Sequence, residues 1–259
     1  MIRLENLRLG YGPRLLVEQA SAALPAGSLT ALLGCNGSGK STLLRALIGQ
    51  EKPQAGSIRL NGQPLSRLTP ETMARTVAFV NTERVRVANL RCKDVVALGR
   101  APYTNWIGRM QAQDETVVYQ TLEQTGMTDY AERTMDRMSD GECQRIMIAR
   151  ALAQQTPIIL LDEPTSFLDL PNRYGLGKLL AQLAHEQNKC IFFSTHELDI
   201  ALSLCDAVAL IDRPVLHYRP TADLIQSGLL DKVFGDSLRL NGNLSVNGNG
   251  GLSPKPIAR

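Results

Sequence analysis

The chain has 259 residues, 44% of them apolar and 20% charged, with a net charge of +3. This composition supports a sizeable core in one compact unit with two lobes and excludes global disorder. The charge is too weak to argue for a nucleic-acid partner or an anionic lipid surface.

In chain order, Met1–Asn6 carries charges every few residues and lacks the apolar stretch of a signal peptide. Ile2, Leu4, Leu7 and Leu9 read as one face of a half-buried strand. Residues 28–33 read as a buried strand entering a glycine-rich turn, followed by a helix from about Lys40 to Ile48. Residues 56–65 carry a hairpin signal around Asn-Gly, and another strand is expected over about 76–81. From 92 to 155 helical periodicity dominates. Strands then return at 158–162, 191–194 and 207–211, alternating with helices at about 173–187 and 197–204. Such alternation predicts a parallel sheet flanked by helices, with the helical block as an insertion in an α/β core. Residues 241–259, rich in Asn, Gly, Ser and Pro, are expected to be poorly ordered. No apolar run approaches the ~20 residues of a membrane helix. The five cysteines are odd in number, have no metal-ligand spacing and read as reduced thiols.

Gly34-Cys35-Asn36-Gly37-Ser38-Gly39-Lys40-Ser41-Thr42 matches G-x-x-x-x-G-K-[ST]. Glycines let backbone N–H groups curl around phosphates, Lys40 is expected to reach the β- and γ-phosphates, and Ser41 is placed for Mg²⁺. Cys35 sets a thiol within this cradle. Downstream, the apolar strand 158–161 ends in Asp162-Glu163-Pro164. Its strand is expected beside the one feeding the phosphate loop, with Asp162 as a Mg²⁺ ligand and Glu163 as the base that activates water.

Met138-Ser139-Asp140-Gly141-Glu142, just ahead of that strand, resembles the ABC signature L-S-G-G-Q/E. The resemblance to ABC ATPases runs to about residue 235. It implies a P-loop NTPase core with a RecA-like, mostly parallel sheet, an antiparallel β-subdomain and an inserted α-helical subdomain at about 84–155. The ATPase domain would span 1–240. By the same resemblance Tyr11 would stack on adenine, and Ser166-Phe167-Leu168-Asp169 looks like the D-loop. Ser194-Thr195-His196-Glu197 looks like the switch-histidine loop. Two copies would sandwich two ATP molecules, each held by the phosphate loop of one copy and by Ser139, Asp140, Gly141 and Glu142 of the other. His196 would hold the γ-phosphate and Asp169 would couple the two sites.

Two departures from the family pattern stand out. Thr82 or Glu83 occupies the place of the usual Q-loop glutamine, and Asp140 stands where glycine is usual, its carboxylate expected to point away from the γ-phosphate. Asp94–Tyr103 and Asn105–Arg109 resemble importer ATPases for iron–siderophore, haem and cobalamin, whose corresponding region docks on a permease. The implied protein is the ATPase subunit of a metal-chelate importer. It would sit on the cytoplasmic face of the membrane through a separate permease, with a separate substrate-binding protein. A cluster-assembly ATPase is the alternative.

Overall fold

The computed structural model describes residues 1–82, 88–104, 110–166, 168–241, 244–246 and 252–254. Strand β1 (Ile2–Tyr11) pairs antiparallel with β2 (Arg14–Leu24) and with β4 (Ala55–Leu60). Buried positions on β1 step from Leu4 to Leu7, a phase change that plain alternation does not allow. A bulge supplies it: the register shifts there and Asn6 takes a φ of 47°. Opposite lies Gly56, where a Cβ would collide with the Asn6 carbonyl. The expected hairpin forms between β4 and β5 (Gln63–Pro64), turning on Asn61 and Gly62, both at positive φ as a type I′ turn requires.

The central sheet holds six strands in the order β10-β9-β3-β8-β7-β6. These are β3 (Ser28–Gly34), β6 (Val77–Val80), β7 (Ile158–Leu161), β8 (Cys190–Ser194), β9 (Ala207–Asp212) and the antiparallel edge strand β10 (Val215–Pro220). Five strands run parallel. One expectation is corrected here. The strand ending in Asp162 does not lie beside β3, because β8 pairs with both and separates them. Spacing along a chain carries no information about lateral order in a parallel sheet, and the crossover between β7 and β8 is long enough to reach either side.

The sheet is covered on both faces, so β3, β7 and β8 are buried at every position. Alternate residues serve two cores. Leu32, Ile158, Leu160 and Phe192 pack with β1, β2 and helix α1 (Lys40–Leu47), whereas Leu33, Ile159, Leu161 and Phe193 pack with the inserted helices. The insertion comprises α3 (Cys92–Ala97), α4 (Ala112–Gln124) and α5 (Asp140–Ala153); α2 (Pro70–Thr76) precedes it. Helices α6 (Leu170–Glu186), α7 (Leu198–Leu204), α8 (Thr221–Gln226) and α9 (Leu229–Asn241) complete the core. In the stretch expected to be poorly ordered, β11 (Leu244–Val246) pairs antiparallel with β12 (Leu252–Pro254) across an Asn-Gly-rich connection.

Candidate functional site

Strand β3 delivers the chain to Gly34, and the loop to Gly39 opens α1. A Cβ on Gly34 would fall 2.6 Å from Ser38 Oγ, and Gly39 takes a φ of 109° as it caps the helix, so both positions need the missing side chain. Lys40 is only 6% exposed, its Nζ donating to the Gly34 carbonyl at 3.0 Å. Ser38 Oγ is buried without a hydrogen-bond partner among the described residues. A buried hydroxyl left unpaired costs free energy.

The cleft above the loop, about 290 Å³, is lined by Tyr11, Arg14, Leu16, Asn36, Gly37, Gly39, Lys40, Ser41, Thr42 and Glu163. Tyr11, half exposed at the end of β1, donates to Glu51 Oε1 at 3.0 Å and lies 3.3 Å from Thr42 Oγ1. Cys35 is the exposed cysteine of the five, the other four being buried; burial pushes the thiols of Cys92 and Cys190 up to about 11 and about 12.

Although β8 intervenes, it links the second motif to the cleft. Ser194, its last residue, donates from Oγ to Asp162 Oδ1 at 2.6 Å and accepts the Glu163 N–H at 2.8 Å. Glu163 adopts a φ of 47°, a conformation that costs a non-glycine residue energy and turns its carboxylate toward Lys40. Glu163 Oε1 lies 3.8 Å from Lys40 Nζ, Oε2 lies 3.9 Å from His196 Nδ1, and Oε2 accepts from Ser166 Oγ at 3.1 Å. The structure therefore gathers Lys40, Glu163 and His196, with Asp162 buried just behind. Thr82 Oγ1, of the two candidates for the Q-loop glutamine's place, donates to the Asp162 carbonyl at 3.0 Å. Glu83, Phe167 and Asn105–Arg109 lie outside the described residues.

The signature is not gathered with them: Ser139, Asp140, Gly141 and Glu142 do not line the cleft. Ser139 caps α5 in a capping box. Its Oγ accepts the Glu142 N–H at 3.3 Å, while Glu142 Oε2 accepts the Ser139 N–H at 2.7 Å and the Ser139 hydroxyl at 2.8 Å. The Ser139 N–H, then the Ser139 hydroxyl and Tyr130, hold the Glu142 carboxyl below its usual range against burial. Gly141 faces Leu168 and Asn172, the segment on either side of Asp169. Asp169 caps α6, its Oδ1 accepting the Asn172 N–H at 3.1 Å.

The ABC transporter family matches residues 17–166, which carry the phosphate loop, the signature and the Asp162-Glu163 motif. This chain belongs to the ABC transporter family. It is 34% identical to an iron(3+)-hydroxamate import ATP-binding protein of Bacillus subtilis, over 89% of this chain and 86% of that protein. It is 37% identical to a hemin import ATP-binding protein of Nocardia farcinica, over 88% and 78%. A solved metal-chelate type ABC transporter in an inward-facing conformation superposes with a TM-score of 0.80 at 31% identity, covering 90% of this chain and 88% of its counterpart. The chain is thus the ATP-binding and ATP-hydrolysing subunit of an ABC transporter, of the kind that pairs with itself and with membrane permease subunits. No helix among the described residues is long and apolar enough to cross a membrane.

Two contributors escaped the sequence reading. Ser194 lay within the quoted switch loop, yet only the strand order reveals its bridge to Asp162 and Glu163. Arg14, which reaches toward the Gly37 carbonyl at 3.5 Å, has no motif to announce it.

Proposed function

We propose that the chain energises import of an iron–siderophore or haem through a separate permease, on the cytoplasmic face of the membrane, supplied by a separate substrate-binding protein. The carrying observation is the likeness, over nine-tenths of the chain, to a metal-chelate type transporter, together with the siderophore and hemin importers named above. Those relatives favour iron chelates over cobalamin.

Within the site, Lys40 and the loop N–H groups bind the β- and γ-phosphates, and Tyr11 holds adenine by its ring face. Glu163 accepts a proton from the attacking water, and its Lys40 and His196 neighbours orient both carboxylate and γ-phosphate. Ser41 and Asp162 suit Mg²⁺, an ion usually held by one or two protein oxygens plus the substrate phosphates. No cluster of three or more His, Cys, Asp or Glu among the described residues offers a closed metal cage instead. When bound, Mg²⁺ would neutralise charge on the phosphates. Ser139 and the Gly141 N–H, at the start of α5, complete the site of a second copy.

The permease-facing stretch is anchored for such a role. Leu98 is exposed after α3, while buried Arg100 donates to Asp114 Oδ1 at 2.9 Å and to the Ala153 carbonyl at 2.7 Å. Tyr103 lies 4.1 Å under the Arg100 guanidinium, and Arg75 of α2 reaches the Pro102 carbonyl at 3.0 Å. These contacts tie residues 98–103 to α4, α5 and α2. The test is phosphate release by the chain reconstituted with its co-purifying permease in proteoliposomes, with uptake of ferric siderophore or haem followed in parallel. ATP-dependent uptake of either chelate is expected. Turnover with neither chelate moved would point to other cargo or to cluster assembly.

A further inference from the structure

Helix α6 carries a side chain that joins two of the loops around Glu163. Arg173 Nε donates to the Leu168 carbonyl at 2.6 Å, and Arg173 Nη1 lies 2.9 Å from Glu197 Oε1. Leu168 precedes Asp169; Glu197 follows His196. One planar guanidinium therefore spans the backbone of the D-loop and the loop bearing the switch histidine, a two-pronged grip that an ammonium cannot reproduce.

Glu197 is unusual for a carboxylate beside an open cleft. It is 8% exposed, and neither of its oxygens accepts a well-aligned hydrogen bond among the described residues. Its attraction to Arg173 is one of proximate charge. Burial pushes its carboxyl up, and Arg173, then His196 and then the nearby Thr165 hydroxyl pull it back. A buried charge with so poor a hydrogen-bond set is costly, and replacing such a pair by apolar side chains is often neutral or stabilising. Stability alone is therefore a weak reason for it. The geometry offers another. His196 is half exposed on the surface, held 3.9 Å from Glu163, and its own side chain has little packing to fix it. The backbone that carries it is fixed by neighbours: the Thr195 N–H donates to the Leu32 carbonyl at 3.1 Å, and Glu197 is drawn to Arg173. On the other side Ser166 of the D-loop touches Glu163 directly at 3.1 Å.

We infer that Arg173 is a positioning residue for ATP hydrolysis: by gripping the Leu168 carbonyl and Glu197 together, it sets His196 and the D-loop at their working distance from Glu163. It touches no substrate and acts through the two loops. The inference rests on the reading of His196 as the γ-phosphate partner, and it predicts loss of turnover without loss of nucleotide affinity, because Arg173 holds Leu168 and Glu197, neither of which lines the cleft.

The test is phosphate release at saturating ATP by Arg173→Met, Arg173→Lys and the double variant Arg173→Met with Glu197→Gln. Fluorescent-nucleotide affinity and melting temperature are measured on the same samples, with His196→Ala alongside. Misplacement of a reacting group by about 1 Å costs up to ~100-fold, so Arg173→Met should lower kcat about tenfold with nucleotide Kd unchanged. Arg173→Lys keeps the charge but loses one prong and should fall about threefold. The double variant should be no slower than Arg173→Met alone. Should Arg173→Met fail to fold, Arg173→Lys decides: a threefold lower kcat at wild-type melting temperature and affinity supports the inference, and wild-type turnover overturns it. Lowered melting temperature with full turnover per folded molecule also overturns it, leaving a structural pair. If His196→Ala keeps full turnover, the reading of the site itself has failed; if only His196→Ala loses turnover, the Arg173 inference alone falls.

Discussion

Two helix starts in this molecule are prepared differently. The start of α1 opens on a cleft within its own chain: Gly39 caps it with no side chain, and Lys40 and Glu163 line the cleft. The start of α5 is satisfied from within, because Ser139 and Glu142 exchange hydrogen bonds across a capping box. The contrast teaches that one helix start opens on a cleft whereas the other is closed by its own side chains; on the function proposed above, a second copy would bring the two together.

The sharpest way to separate the halves is Glu163→Gln. It should lower steady-state phosphate release by about 10³-fold, within the range for a lost general base, while leaving ATP bound and the paired form trapped. Size-exclusion chromatography at saturating ATP reads the trapping, and a persistent monomer would count against Glu163 as base. Next, Lys40→Ala should weaken nucleotide binding by at least about 100-fold in the isolated monomer, since a buried cation facing the phosphates is worth several kcal/mol. Titration with a fluorescent ATP analogue measures it, and unchanged affinity would undo the phosphate-loop assignment.

The helical lobe should respond in stability rather than in monomer binding. Asp114, buried in α4, is held below the usual carboxylate range by the Gln111 N–H first and by Arg100, against the opposing effect of burial. Its folded value lies below its unfolded value, so this contribution is present at neutral pH and is lost as pH falls below about 4. Asp114→Asn should therefore destabilise the chain by roughly 2 kcal/mol at pH 7, with the gap to wild type closing on acidification. Urea unfolding at pH 7 and below pH 4 tests the sign, and a gap that widens in acid would refute it. The smallest effect expected is that of Ser139→Ala, about 1 kcal/mol of thermal stability from the lost cap, with monomer nucleotide affinity unchanged. A weakened monomer affinity would place Ser139 in its own chain's cleft.

Much of this was readable before any coordinates. Glycines that only a curled backbone requires, an apolar run ending in two acids, and a serine three residues ahead of a glutamate are local signals, and the structure has a loop entering a helix, a strand end and a capped helix start at them. Non-local facts were not readable. Nothing in the residues of β7 says that β8 will separate it from β3, and so nothing assigns Ser194 as the bridge between Asp162 and Glu163. β2 lacks a clean alternation because bulges shift its register against β1, and β10 ends in His-Tyr-Arg-Pro because an edge strand need not be apolar. Arg173 and Glu197 are 24 positions apart on different elements, and only the packing of α6 against α7 brings them together.

The central claim is that each ATP is shared between the phosphate loop of one copy and the signature of another. Mixing two inactive variants, Lys40→Ala and Ser139→Asp, tests it most directly. A mixed pair would hold one fully intact site, made by the phosphate loop of the Ser139→Asp copy and the signature of the Lys40→Ala copy. Phosphate release in a 1:1 mixture should then rise well above either variant alone, toward about a quarter of wild type for random symmetric pairing. Activity no greater than the sum of the two separate variants would mean that each copy completes its own site, and would contradict the account.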